Sequence, residues 1–247
     1  MAGGGGGGGG GRRPRRGPGR PHEEAAGPDT AAPARPKRKN DPERTRADIL
    51  AVATEEFAEQ GFSGARVDMI AERTRTTKRM IYYYFGSKEG LYLAVLEKKY
   101  EEIRAFESSL QLSYMDPEAA MRALIGATFD YEESHPEFVR LVAVENIHNA
   151  RHLAQSKTIA NLNVTIVETI QSLLERGRAA GRFRADVQAL DLHLLITSFC
   201  FFRVSNRATL ETAFGQKLGT PKTRARHKQM LCDAVIRYLE GGGPATA

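Results

Sequence analysis

Residues 78–91, KRMIYYYFGSKEGL, bring together the side chains of this chain best suited to meet a polyanion: two cations, three phenols and a further lysine. At about 100° per residue, a helix through them sets Lys78, Arg79, Tyr82 and Tyr83 on one face and Met80, Ile81, Tyr84 and Phe85 on the other. The first face is cationic and aromatic, the second mostly apolar. Lys and Arg donate to guanine O6 and N7 or to phosphate, while a phenol donates to phosphate and lays its ring on thymine methyls. The bland alternative is a solvated helix whose long side chains snorkel over apolar surface.

The elements that must hold this face read as helices throughout. Asp41-Pro42 pairs an N-cap with proline in the first turn, and Ile49, Ala53 and Phe57 form one stripe before Gly61. A second helix starts near Ala65–Arg66, and a third spans about Thr77–Tyr84 after the TRT turn at 74–76. Two short helices with a third ahead of them fit a helix-turn-helix over about 65–84, whose second helix enters the major groove. Ser87 then caps a long helix carrying Leu93, Leu96, Tyr100, Ile103 and Phe106. Further helices are expected from Asp116-Pro117 to about Glu133, from His135-Pro136 to about Asn149 and from about Leu153 to Gly181. Another runs from an Asp186 cap to about Asn206, and a last one follows the loop at 215–222. No segment alternates with the period of a strand, so the fold class is all-α. The domains expected are a tail over 1–40, a DNA-binding domain over 41–88 and a ligand-binding and dimerisation domain over 89–247.

Charge separates the tail from the rest. The chain has 36 basic and 30 acidic residues; nine and three of these lie in 1–40, which leaves 27 of each in 41–247. The Gly, Arg and Pro composition of 1–40 cannot bury enough surface to offset ordering entropy, so a disordered basic arm is expected. It serves as a non-specific phosphate contact or as a solvated extension with no role. Its paired arginines are not followed by the apolar region of a secretory signal.

Other chemistry finds little support. No nucleophile and base pair up, and no phosphate loop occurs, so an enzyme is not expected. His148 and His152 stand at i, i+4 near Glu145, a spacing that can grip a metal, but a third convincing ligand is missing and no metal or cofactor is expected. Cys200 and Cys232 have no ligand spacing and read as reduced core thiols of a cytoplasmic protein. The stretch LHLLITSFCFFRV at 192–204 ends in Arg203, shorter than the ~20 apolar residues of a membrane span.

The text from Ile49 to Leu96 resembles the N-terminal domain of the TetR family of bacterial repressors. Phe57, then Gly61-Phe62, Ile70-Ala71 and the spacing Tyr82-x-x-Phe85-x-x-Lys88 stand in the family's order. The resemblance implies that Thr77 and Lys78 open the recognition helix and that Arg79 and Tyr83 face the groove. It further implies that Tyr82, Tyr84 and Lys88 reach backbone phosphates, and that Arg66 and Thr76 approach the backbone at the start of helix 2 and in the turn. One departure stands out: the family's Gly-Val in the turn is Arg75-Thr76 here.

The remaining helices are similar to the family's ligand-binding half, in which the last two long helices dimerise as a four-helix bundle. A helix over 192–204 that is apolar nearly all round needs burial on both sides, which a core and a partner subunit would supply. Polar residues embedded in apolar helices, Asn146, His148, Asn149 and His193, are candidate ligand contacts, with Phe129 and Phe199 as walls. The expected function is a cytoplasmic, nucleoid-associated homodimeric repressor that binds a palindromic double-stranded operator and is released by a small-molecule inducer. The rival is an architectural DNA-binding protein without ligand gating.

Overall fold

The first helix, α1 (Pro42–Gly64), is opened by the Asp41 carboxylate, which accepts from the Arg44 N–H at 3.2 Å. Its stripe Ile49, Ala53 and Phe57 is fully buried. Gly61 takes φ 67 and breaks the helix, turning Phe62 back so that its ring lies 6.3 Å from Phe57 and 5.2 Å from Tyr92. Next come α2 (Val67–Arg73), α3 (Lys78–Phe85) and the long α4 (Lys88–Ser108). The helix-turn-helix core is closed by Val67, Ile70, Ile81, Leu91, Tyr92, Val95 and Leu96, and it also takes Leu141 and Ile159 from later in the chain. Four α4 residues of this core lie beyond position 88, so the helix that leaves the DNA-binding part is also one of its walls. In this computed structural model the described residues are 41–241 and Gly3; the arm expected over 1–40 otherwise lies outside them.

The second half is built from α5 (Pro117–Ser134), α6 (Pro136–Ile147), α7 (Lys157–Ala179), α8 (Ala189–Ser205), α9 (Arg207–Phe214) and α10 (Pro221–Glu240). Its core is apolar side chains of α5, α7, α8 and α10, including Leu124, Ile170, Ile196 and Val235. Among the described residues there is no strand, and no helix is long and apolar enough to cross a membrane.

Several boundaries differ from expectation for local reasons. Helix α6 stops at Ile147 because Asn149 and Ala150 adopt left-handed φ of 56 and 54. The turn at Leu153–Gln155 is 3-10, and α7 starts only after Ser156, whose hydroxyl accepts from the Ile159 N–H at 3.1 Å. Asp186 does not cap α8: both its carboxylate oxygens accept from Arg184 at 2.6 Å, and the cap position falls to Gln188. Helix α9 was not expected at all. It is fastened by Arg207, which with Arg203 and Arg224 converges on the buried Glu133, at 2.7 Å for Arg207 and 3.2 Å for Arg224. One carboxylate on α5 thus ties α8, α9 and α10 together.

Candidate nucleic-acid interface and helical cavity

The turn between α2 and α3 is a complete Schellman closure. The Arg75 N–H donates to the Glu72 carbonyl at 3.1 Å and the Thr76 N–H to the Ala71 carbonyl at 3.0 Å. Arg75 sits at the left-handed position with φ 53, where a side chain is strained and glycine is not. The Thr74 hydroxyl donates to the Ile70 carbonyl at 2.7 Å, which further locks the turn. Thr77 then caps α3, accepting from the Met80 N–H at 3.2 Å.

Ile81 anchors α3 in the core with no exposed surface, and Tyr84 and Phe85 pack half-buried beside it. The opposite face carries exposed Lys78 and Arg79 together with Tyr82 and Tyr83, 37% and 78% exposed. Lys78 pairs with Asp68 of α2 at 3.2 Å, while Arg66, Arg75 and Arg79 form no ion pair among the described residues. Lys88 is turned partly inward, its ammonium 5.1 Å from the Phe62 ring centre and 3.4 Å from the Ser63 carbonyl oxygen. Thr76 is half-buried, whereas Arg66 and Thr77 are exposed. The exposed candidates thus lie on α3 and its two approaches, and Tyr84 lies at the edge of the core.

Gly90 fixes how α3 meets α4. A Cβ there would stand 2.1 Å from the Phe85 carbonyl oxygen, so only glycine lets the end of α3 rest on the first turn of α4. Ser87 caps that turn, accepting from the Gly90 N–H at 3.1 Å.

A buried pair joins this region to α6. The Glu145 carboxylate, without exposed surface, accepts from the His152 ring at 2.6 Å and from the His152 and Leu153 N–H groups at 3.1 Å each. Burial pushes its pKa up, but these bonds outweigh it and hold the carboxyl below its ordinary value. The His152 ring packs 4.5 Å from Phe62 and 4.9 Å from Tyr92, rings belonging to the helix-turn-helix core. His152 therefore works in packing, and among the described residues no cluster of three metal-ligating side chains occurs. His148 and Asn149, expected at a ligand, sit instead where α6 ends and line no cavity described here.

Helices α4 to α8 line an open-mouthed cavity of about 800 Å³. Tyr100, Phe138, Val142 and Phe201 contribute apolar wall, and the expected Asn146 and His193 do line it. Phe129 does not: it is buried in the core with the Arg203 guanidinium 5.0 Å above its ring. Phe199 faces a second cavity of about 450 Å³ between α8, α9 and α10. Arg104, Glu107 and Glu132 line the first cavity and were not anticipated. Arg104 and Glu107 pair at 2.7 Å. Burial, opposed by Arg104, pushes Glu107 up to about 7; burial and the neighbouring Glu107 push Glu132 up to about 8. The signal was present: Tyr100, Ile103, Arg104 and Glu107 share one helical stripe, as do Ile125, Thr128, Phe129 and Glu132, so charge interrupts an apolar face.

Comparison with known proteins agrees with this geometry. Residues 49–95 match the pattern described as "Bacterial regulatory proteins, tetR family", and 117–235 match "Tetracyclin repressor-like, C-terminal domain". The HTH-type transcriptional repressor NicS of Pseudomonas putida is 38% identical over 197 residues, covering 80% of this chain and 93% of that protein. The repressor SCO4008 of Streptomyces coelicolor is 38% identical over 107 residues, 43% of this chain and 52% of its own. Among solved structures, the transcriptional regulator SCO4942 of Streptomyces coelicolor superposes with TM-score 0.60 at 27% identity, covering 79% of this chain and 98% of that one. The ketosteroid transcriptional regulator KstR2 of Mycobacterium tuberculosis has the same fold, with TM-score 0.61 at 21% identity over 83% of this chain and 97% of that one.

Proposed function

Because this chain belongs to the tetR family of bacterial transcriptional regulators, we propose that it is a cytoplasmic, homodimeric repressor released from a palindromic operator by a small molecule. The observation that carries the gating is the double duty of α6. Val142 and Asn146 line the cavity, while Leu141 enters the helix-turn-helix core and Glu145 holds the His152 ring against Phe62 and Tyr92. A molecule that displaces α6 therefore also displaces the support of α3.

In the free protein, Arg79 and Tyr83 meet base edges while Tyr82, Tyr84, Lys88, Arg66 and Thr76 hold phosphates; Thr77 and Lys78 meet DNA at the positive end of α3. Two copies must stand about 34–36 Å apart to read successive major grooves. A ligand that prefers another spacing weakens binding by its differential affinity for the two states, typically about 1–3 kcal/mol. Dimerisation through α8 and α10 is supported by exposed apolar side chains on both helices, Phe202 and Met230 among them. The basic arm adds salt-dependent phosphate attraction.

Band shifts on DNA flanking its own gene, with sedimentation of the complex, test this. Selective binding by a dimer is expected. Binding to all sequences alike, abolished by deleting residues 1–39, would instead favour an architectural role.

A further inference from the structure

Resting on the ligand-gated reading, we propose that the α4–α8 cavity takes an amphoteric small molecule, its anionic oxygen received by Arg104 and its protonated nitrogen by Glu132. The two side chains are the floor of the same cavity, and both are more than nine-tenths buried, at 8% and 4% exposure. Each keeps buried atoms with no hydrogen-bond partner: Nε and Nη1 of Arg104, both donors, and Oε2 of Glu132, an acceptor once the carboxyl is ionised. Buried polar atoms in native proteins are almost always partnered, so orphans of opposite sense in one cavity define the complement that is missing.

The other charged groups around the cavity do not supply it. From α4, Glu107 is already spent on Arg104 at 2.7 Å, and Tyr100 stays a neutral phenol because burial pushes it up. From α8, burial and Arg104 hold His193 below its ordinary value and therefore neutral, while Asp191 stands exposed at the rim. From α5, Glu132 is the one titratable lining residue; α6 and α7 contribute Asn146 and Asn163. Among the described residues no cation pairs with Glu132. The same cavity is lined by Phe138, Val142, Val167 and Phe201, apolar wall suited to a ring or short apolar chain joining the charged groups.

The test uses the full chain and three molecules that differ only in their ends: 3-amidinobenzoate with both, benzoate with the anion, benzamidine with the cation. Calorimetry at pH 7 should find 3-amidinobenzoate at least tenfold tighter than either. Glu132→Gln, which removes an unpartnered carboxyl and should not lower Tm, should reduce it to the benzoate level; Arg104→Lys, which keeps the charge but loses Nε, should reduce it to the benzamidine level. Because Glu132 rests near 8 in the free protein, through burial and Glu107, it must release its proton to receive an amidinium. Affinity should therefore rise between pH 6 and 8, by up to about tenfold per pH unit. Equal affinity for the three probes, no binding of any, or an unchanged preference in Glu132→Gln would overturn the assignment. In parallel, DNA release is followed with a small-molecule extract of the host cells. Release by the extract without an advantage for 3-amidinobenzoate sinks the amphoteric class and spares gating; DNA binding indifferent to the extract sinks gating itself.

Discussion

Arg75 holds a left-handed backbone, φ 53, at the C′ position of α2, where the family's usual residue is glycine. A non-glycine residue there costs about 1–2 kcal/mol, of which the greater freedom of glycine in the unfolded chain recovers part. Arg75→Gly should therefore raise stability by about 0.5–1 kcal/mol, read in urea unfolding. The same exchange removes one exposed cation beside α3, so DNA affinity should fall slightly and its salt dependence become shallower by about one phosphate contact. The tyrosines divide by exposure. Tyr83, 78% exposed at the centre of the cationic face, should carry base preference, and Tyr83→Ala should flatten a binding-site selection by about 1–3 kcal/mol at one or two positions. Tyr82→Phe removes only a hydroxyl and should weaken all sites alike, by about 1 kcal/mol; competition against operator and random DNA separates the two outcomes. The faces of α3 could be read from helical spacing alone. That Lys78 is paired with Asp68, and Lys88 turned toward Phe62, could not, because both partners come from other helices.

At the scale of elements, caps and breakers were legible and long-range ties were not. Asp41, Thr77, Ser87 and Asp116 cap through their own side chains over two or three residues, which is information a short window contains. Asp186 misled because Arg184, two residues away, competes for the same carboxylate. Helix α9 was missed because its support comes from Glu133, more than 70 residues earlier in the chain. The cavity's charged floor was overlooked because Arg104 and Glu107, spaced i, i+3, look like a solvated ion pair until the other helices cover them. The same limit hid the use of Glu145 and His152: the i, i+4 spacing of His148 and His152 suggested a metal, whereas the Glu145–His152 pair clamps α6 to Phe62 and Tyr92. Glu145→Gln keeps the shape but loses the charge that three donors share, and should cost about 1–3 kcal/mol at pH 7. The wild-type carboxyl is held below its ordinary value, so its contribution is complete above the unfolded carboxylate range and fades as pH falls through the folded value. The gap between wild type and Glu145→Gln should thus narrow steadily from pH 6 toward pH 3, as measured by denaturant titration across that range.

For the whole molecule, the proposed dimer turns on the exposed apolar side chains of α8 and α10. On α8 the inner residues Leu192, Ile196 and Cys200 are buried, whereas Leu190, Leu194, Leu195 and Phe202 are each between 45% and 56% exposed. On α10, Met230 and Tyr238 are exposed as well, at 50% and 43%. Leu190, Leu194 and Leu195 also rim the first cavity and Phe202 the second, and on the proposed reading a partner subunit covers these exposed apolar side chains. A twofold interface uses each residue twice, so one substitution is felt at two places. Burying a Phe contributes about 1.5–3 kcal/mol, and Phe202→Glu removes that twice while placing two carboxylates near each other. The dimer should weaken by about 100-fold or more, seen as a shift to monomer in sedimentation at micromolar concentration. Fold is expected to survive, because Phe202 is not part of the buried core and its neighbour Arg203 keeps its bond to Glu133. Operator affinity should then collapse to that of a single recognition helix, while the chain's salt-dependent attraction to random DNA through the basic arm remains. A Phe202→Glu protein that stayed dimeric and bound operator normally would place the interface elsewhere on the helical half.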